Sequence, residues 1–584
     1  MHRNKLNVVL CWHMHQPQYR SNEVYTRPWT WLHAIKDYSD MAAHIEVLPD
    51  ARAVINFSPH LMMQVDDYAY RIKRLLNSGE PCNDHILDAL AGLLPVEKAG
   101  KEALVRSCLR SHDVNVRQRF APYDHLCQLA EQELEAGSLP EPSDLTDLLV
   151  WYCLVWMGEF MRSGSSLAIR LVEQANDYSL QDRQSLLELM GTEIAAILPR
   201  YKRLAESGQI ELSVTPYSHP ILPLLIDFSS AREAMPAVDL PSGTYPGGEE
   251  RCNWHLQQAI DCFETHFGFR PAGCWPSEGA LSERTLELLQ NHGFKWTASG
   301  THVLRNSLGD AAGQYVNPQH QLWSAPGEVP GENQLALIFR DDEMADLIGF
   351  SYSRWQAVDA VNDLVYRLEQ AQERANSQGN NDPTVSIIMD GENAWEYYPE
   401  NGREFLSMLY QRLSTHPRFL LTTFSEVLKR VPLQTLPRLT AGSWVYGNFS
   451  VWMGHPAKNR AWERLIDARL AVDKAIAGDH AGRLPKEQIL EQLSVCESSD
   501  WFWWLGEEGR AQDGPAFDEL FRLQLKALYH LIGVQAPALL DQPIDDTHKQ
   551  AGSDDTSTMR QAVNLATQLS CCIIKATSKG VTQA

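Results

Sequence analysis

Short apolar runs that end abruptly in polar, chemically capable residues recur along this chain. That repetition constrains the fold more than any other feature. Residues 6–11 (LNVVLC) lead into WHMHQP, Ala53–Phe57 into Ser58-Pro59-His60, and Ile210–Val214 into Thr215-Pro216-Tyr217. Residues 334–339 (QLALIF) end in Arg340-Asp341-Asp342, and residues 384–389 (TVSIIM) in Asp390-Gly391-Glu392. Residues 273–275, 295–298 and 419–423 are shorter candidates. Amphipathic stretches of helical period lie between the runs. Strand, polar loop and helix in alternation predict parallel strands and an α/β fold. In a β/α barrel, residues just past the strand ends form the active face.

Two stretches break the alternation. Residues 81–200 read as a helical insertion, with apolar positions at helix spacing in residues 145–160. From about Pro437 a Gly- and Trp-rich loop precedes helical patterns at 459–477, 486–495 and 517–531, with DWFWWLG at 500–506. The expected organisation is a barrel over 1–435, a mainly helical C-terminal domain over 436–541 that contributes to the cleft, and a disordered tail over 542–584. The tail is polar and turn-rich, so it buries too little apolar surface to offset ordering. Residues 559–574 are the exception, with spacing for a short amphipathic helix.

The charge balance narrows the partners. Against 51 basic residues stand 74 acidic ones, a formal charge of −23. An acidic surface argues against nucleic acid or an anionic membrane. The N-terminal apolar run is too short for a signal-peptide core, and no stretch approaches a membrane span. Eleven cysteines are scattered without CxxC pairs, and the adjacent Cys571 and Cys572 would bridge only with strain. A soluble, reduced, cytoplasmic protein is expected.

Two carboxylates stand out at strand-like ends: Glu278 in CWPSEG and Asp390 in IIMDGENAW. Paired across a barrel mouth, they are the minimum equipment for cleaving a glycosidic bond. Asp-Gly is also an ordinary turn signal, and Glu392 and Glu396 are rival carboxylates. His13 and His15, at i and i+2 on an extended end, point the same way. Glu211 is either a site residue or a structural ion-pair partner, and His219 follows it by eight positions. Arg340 and Asp341 either clamp hydroxyls or pair with each other. Trp275, Trp444, Trp452 and Trp503 are candidate sugar platforms; the competing reading of Trp501–Trp504 is packing between barrel and helical domain.

Five segments in order, WHMHQP, GQIELSVTPYSHP, CWPSEG, IIMDGENAW and GSWVYGNFSVWMGHPAKNRAWE, span residues 12 to 463. Together they resemble glycoside hydrolase family 57, most closely its α-amylase and amylopullulanase branch. The resemblance implies an incomplete seven-fold β/α barrel with an attached helical domain. It implies Glu278 as nucleophile and Asp390 as general acid/base. His13, His15, Gln16, Glu211, His219, Trp275, Arg340, Asp341, Trp444, Trp452 and Trp503 become the expected substrate-binding set. The implied activity is retaining hydrolysis of α-glucans, with 4-α-glucanotransfer or branching as the alternative on the same pair. It needs no cofactor and no metal. A metal-dependent deacetylase or mannosidase using His13, His15 and Asp390 is a different class, and the missing HxxxH or HExxH spacing counts against it. A glycan-binding protein without catalysis is a third, and the presence of both carboxylates counts against that.

Overall fold

The computed structural model describes residues 5–315, 317–327, 334–380, 382–478, 485–506 and 514–545. Most of the expected tail, 546–584, lies outside the described residues. Contact clustering divides the chain into two compact units. The first comprises residues 1–237 and 247–449; the second comprises 238–246 and 450–584.

The first unit is built on seven parallel strands. They are β1 (Leu6–Met14), β2 (Ala53–Phe57), β3 (Ile210–Val214), β4 (Gly273–Cys274), β5 (Trp296–Ser299), β6 (Ala336–Phe339) and β7 (Thr384–Asp390). Their spatial order is β7-β1-β2-β3-β4-β5-β6. No β6–β7 ladder is found among the described residues; a single bond from Asp341 N to Ser386 O (2.8 Å) joins the two edges. The result is the incomplete (β/α)7 barrel. An eighth strand, β8 (Phe419–Leu421), runs parallel to the start of β1, and Trp323–Ser324 extends the β6 edge in antiparallel fashion.

These strands form where β-branched residues repeat, as in Val8-Val9, Val54-Ile55 and Ile387-Ile388, because such side chains suit a pleated surface packed on both faces. The inward parity is clear from the buried cluster of Val9, Cys11, Val54, Trp296, Ala298, Ala336, Ile338 and Ile388. Phe424 and Val427, from the helix Phe424–Leu428 after β8, join it from below. Side chains alternate along a strand. The parity that buries Val9 and Cys11 therefore brings His13 inward one layer higher. In the same way Val54 leads to Asn56, Ile338 to Arg340, and Ile388 to Asp390. One hydrophobic pattern thus sets both the core and the polar ring above it.

Residues 85–206 form seven α-helices, from His85–Leu90 to the long Leu180–Glu206. The second unit is helical, with Pro456–Ala477, Lys486–Cys496, Asp500–Trp503 and Gly514–Leu531. Its core is aromatic: Trp462 stacks on Phe502 at 4.1 Å and Trp504 on Phe517 at 4.6 Å. Packing reaches residue 545, where Asp545 Oδ2 accepts from Gly506 N (2.7 Å) and Ile544 N donates to Asp518 (2.9 Å). No described helix is long and apolar enough to cross a membrane. Nine cysteines are described, and none of them is in a disulfide.

Candidate active site

The mouth of the barrel is assembled from strand ends and the loops that follow. His13, on β1, contacts Asn56 Oδ1 through Nδ1 (2.7 Å) and His219 Nε2 through Nε2 (3.1 Å). Asn56 is itself oriented: its amide donates to Ser213 Oγ (3.0 Å), and its oxygen accepts from Thr215 Oγ1 (2.7 Å). His15 Nδ1 meets Ser58 Oγ at 2.8 Å. Ser58 also caps the helix Pro59–Ser78, accepting from Leu61 N. The rings of His15 and His219 stack at 3.8 Å. Burial, together with His15, His13 and His60 nearby, pushes His219 well below the ordinary imidazole value. It is held as neutral imidazole, with one ring nitrogen a donor and the other an acceptor.

Glu278 lies in the turn after β4, with φ of 57°. A left-handed non-glycine residue is uncommon and costs about 1–3 kcal/mol, a cost borne only where the surroundings enforce it. Here they do. Trp444 N donates to Glu278 O (3.0 Å), and Trp444 Nε1 donates to Glu278 Oε2 (3.0 Å). Leu281 and Gly442 exchange backbone hydrogen bonds just beyond. Gly279 follows at φ 57°, where an added Cβ would lie 3.0 Å from Trp275 Cη2. The Glu278 side chain remains 17 % exposed, and its Oε1 is 3.9 Å from His219 Nδ1. His219 shares the strained backbone, at φ 60°. Trp275 is buried against Trp444 at 5.1 Å, and its indole nitrogen meets no acceptor.

Asp390 ends β7, and Asn393 Nδ2 donates to its Oδ2 (2.8 Å). It keeps some accessible surface. Burial still raises its carboxyl above the usual range, against the Asn393 hydrogen bond and the charges of Arg340 and His15. Arg340, at the end of β6, sits between Trp444 and its own loop. Its guanidinium lies over the Trp444 ring at 4.9 Å and donates to Asp346 (2.7 Å). Gln16 Nε2 donates to Glu392 Oε1 (3.1 Å), tying the end of β1 to the Asp390 loop.

Two expected residues of the first unit, Glu211 and Asp341, are engaged elsewhere in the barrel. Glu211 is the clearest correction. It stands second in β3, four residues before Thr215, and its carboxylate accepts from Trp296 Nε1 (2.7 Å), Ser425 N (2.8 Å) and Ser425 Oγ (2.6 Å). Those partners belong to the barrel floor, so Glu211 is a structural anchor there. Asp341 is buried and occupied: it caps the helix Asp342–Asp346 through Met344 N (3.0 Å) and accepts from His320 Nε2 (2.8 Å). Burial raises its carboxyl, but the His320 hydrogen bond and charge outweigh that and lower it. Trp452 and Trp503 belong to the second unit, where their rings lie 6.0 Å apart and both are buried. Conversely, Asn56, Tyr38 and Asn393 were not singled out from the sequence. Strand parity from Val54 would have pointed to Asn56.

A barrel that gathers two carboxyls, three imidazoles, an arginine and indoles at the C-terminal ends of its strands has the layout of a carbohydrate-cleaving enzyme. Comparison gives the particular family. Residues 9–440 match the model of glycosyl hydrolase family 57, and the chain belongs to that family. It resembles a branching enzyme from Thermococcus kodakaraensis (14% identity, TM-score 0.52, covering 90% of each chain). It resembles a branching enzyme from Pyrococcus horikoshii at the same identity and TM-score, covering 95% of this chain and 99% of the other. The α-amylase of Thermotoga maritima likewise gives 14% and 0.52, covering 91% and 93%. At that identity these structures establish the fold alone. No curated protein matches the chain.

Proposed function

We propose that this enzyme is a retaining glycoside hydrolase of α-glucans, with Glu278 as nucleophile and Asp390 as general acid/base. The observation that carries the reading is the contrast between the two carboxyls. Glu278 is partly exposed and receives the Trp444 indole N–H, a donor that favours carboxylate. Asp390 is pushed toward its protonated form by burial. The carboxyl that takes a fixed donor suits the nucleophile, and the one raised by burial suits the acid.

In the first step Glu278 attacks the anomeric carbon while Asp390 protonates the departing glycosidic oxygen. A covalent glycosyl-enzyme forms and the shortened glucan leaves. Asp390, now carboxylate, takes a proton from water as the water attacks the same carbon, and Glu278 is released. Two inversions give net retention, which requires the carboxyls about 5–5.5 Å apart. Arg340 and the imidazoles of His13, His15 and His219 orient hydroxyls and favour charge in the transition state. Trp444, partly buried, supplies an apolar face for a sugar ring, with the buried Trp275 packed behind it.

Transfer to a sugar hydroxyl is the second reading. Two of the structural relatives above are branching enzymes, and the same pair serves either acceptor. Product analysis on maltoheptaose and glycogen decides among them. Shorter sugars alone mark a hydrolase, longer sugars a glucanotransferase, and new branch points a branching enzyme. Absence of all three would sink the α-glucan reading. We further propose a cytoplasmic location, supported by buried cysteines that form no disulfide.

A further inference from the structure

Glu392, two residues past Asp390, is buried and 3 % exposed. Its two oxygens have opposite surroundings. Oε1 accepts three hydrogen bonds, from His15 N, Gln16 Nε2 and the Tyr38 hydroxyl, each at 3.1 Å. Oε2 is buried and has no hydrogen-bond partner, donor or acceptor. An ionised carboxylate spreads its charge over both oxygens, so a bare Oε2 strands part of a negative charge, whereas in the neutral acid the same atom is a hydroxyl whose missing acceptor costs far less. The site favours the second form.

We infer that Glu392 is held as a neutral carboxylic acid: a positioning residue that fastens the end of β1 and Tyr38 to the Asp390 turn without placing a second negative charge beside Asp390. The inference rests on the reading of Asp390 as acid/base. If Glu392 were ionised, the charge left on Asp390 after proton donation would face a like charge at close range, and the first step would be opposed.

The charged surroundings agree. Facing Glu392 are Asp390 on its own loop, the His15 backbone N–H and Tyr38 from the chain after β1, and Asp37. Asp37 is itself engaged by Lys36 Nζ and His33 Nδ1, both at 2.6 Å. No cation pairs with Glu392 among the described residues. Burial first, then the charge of Asp390, drives it well above the usual carboxylate range, against the hydrogen bonds from His15 N and Gln16.

Infrared difference spectroscopy tests this without reference to turnover. At neutral pH, wild type minus Glu392→Gln should show a carboxylic-acid C=O band that the variant lacks. Tyr38→Phe, which removes one donor from that carbonyl, should move the band to higher wavenumber. Loss of carboxylate bands instead, or a spectrum unmoved by Tyr38→Phe, would overturn the inference even if the glutamine variant failed to fold. The kinetic test uses the pH profile of kcat/KM on a maltooligosaccharide. Glutamine keeps the accepting carbonyl and the zero charge, so the basic limb should hold its position and the rate should fall by no more than about tenfold. Glu392→Leu strands three donors and should lower both Tm and rate. A basic limb that drops by roughly a pH unit in Glu392→Gln would show that a negative charge had been removed. If no α-glucan is turned over at all, the functional reading fails, while the infrared result still stands or falls on its own.

Discussion

The mouth and the floor of the same barrel each hold carboxyls, and they treat them in opposite ways. On the floor, both oxygens of Glu211 are spoken for by Trp296 and Ser425, and its backbone is ordinary strand. At the mouth, Glu278 and His219 sit in left-handed conformations, Asp390 is raised by burial, and Trp275 Nε1 lacks an acceptor. The floor resembles a structure optimised for stability. The mouth carries strain and incompletely satisfied polar groups, the pattern expected where stability is traded for chemistry. A carboxylate in an apolar barrel is therefore diagnosed by its satisfaction, not by its presence.

The sharpest break of this comparison is mutation at the mouth. Glu278→Gln and Asp390→Asn should each lower kcat by about a thousandfold or more, since nucleophile and acid act only on the reacting bond. Thermal denaturation should show Tm unchanged or raised, because neutral isosteres keep the shape and relieve the burial of charge. Azide added to Glu278→Ala should restore turnover and give a glycosyl azide of inverted configuration. A variant that kept most of its rate would strip that residue of its role.

The floor predicts the reverse. Glu211→Ala takes the acceptor from the Trp296 indole N–H and the Ser425 N–H at a half-buried site, so a loss of about 1–3 kcal/mol in stability is expected. The turnover of the remaining folded enzyme should stay close to wild type. Chemical denaturation paired with active-site titration checks both halves. A large fall in kcat with little change in stability would return Glu211 to the site.

How much of this could be read from the sequence follows from the same physics. The strands Ala53–Phe57 and Ile210–Val214 were legible to the residue, since apolar runs bounded by turn chemistry have sharp edges. The first strand was read as ending at Cys11 but runs to Met14, because Trp12 is buried in packing that no local pattern reveals. Glu211 was misplaced because its segment was read as a motif; its place near the start of a five-residue strand already put it below the mouth. The Trp444 bond to Glu278 joins residues 166 apart in sequence. Nothing local encodes such a contact. Asn56 hid inside an apolar run, although its parity with Val54 was available.

Protonation separates the regions more gently. His219 is held neutral with its pKa well below the ordinary value, so the unfolded chain binds a proton first as pH falls. The stability from this group is complete above about pH 6.5 and is lost as pH drops below it. Asp390 and Glu392 are raised, so their contribution has the opposite sign: it is greatest at low pH and declines as pH rises above about 4. His219→Asn, which tolerates the left-handed backbone, should therefore lose less Tm than wild type between pH 7 and 5. An equal loss in both proteins would mean that His219 is not held neutral.

The smallest expected effect concerns Ser58, which serves both regimes at once. Its hydroxyl accepts from Leu61 N as the cap of Pro59–Ser78 and also meets His15 Nδ1. Alanine at an N-cap costs about 1 kcal/mol, whereas glycine costs only a few tenths. Neither can hold His15. Ser58→Ala and Ser58→Gly should therefore differ in stability, with glycine closer to wild type. They should share one modest rise in KM, on the order of two- to fivefold, with kcat little changed, as expected when a hydroxyl-orienting imidazole loses its tether. Denaturant midpoints and kinetics on one maltooligosaccharide suffice. If KM followed stability across the two variants, the link from Ser58 to His15 would be packing alone, and the boundary between scaffold and site would lie one residue nearer the mouth.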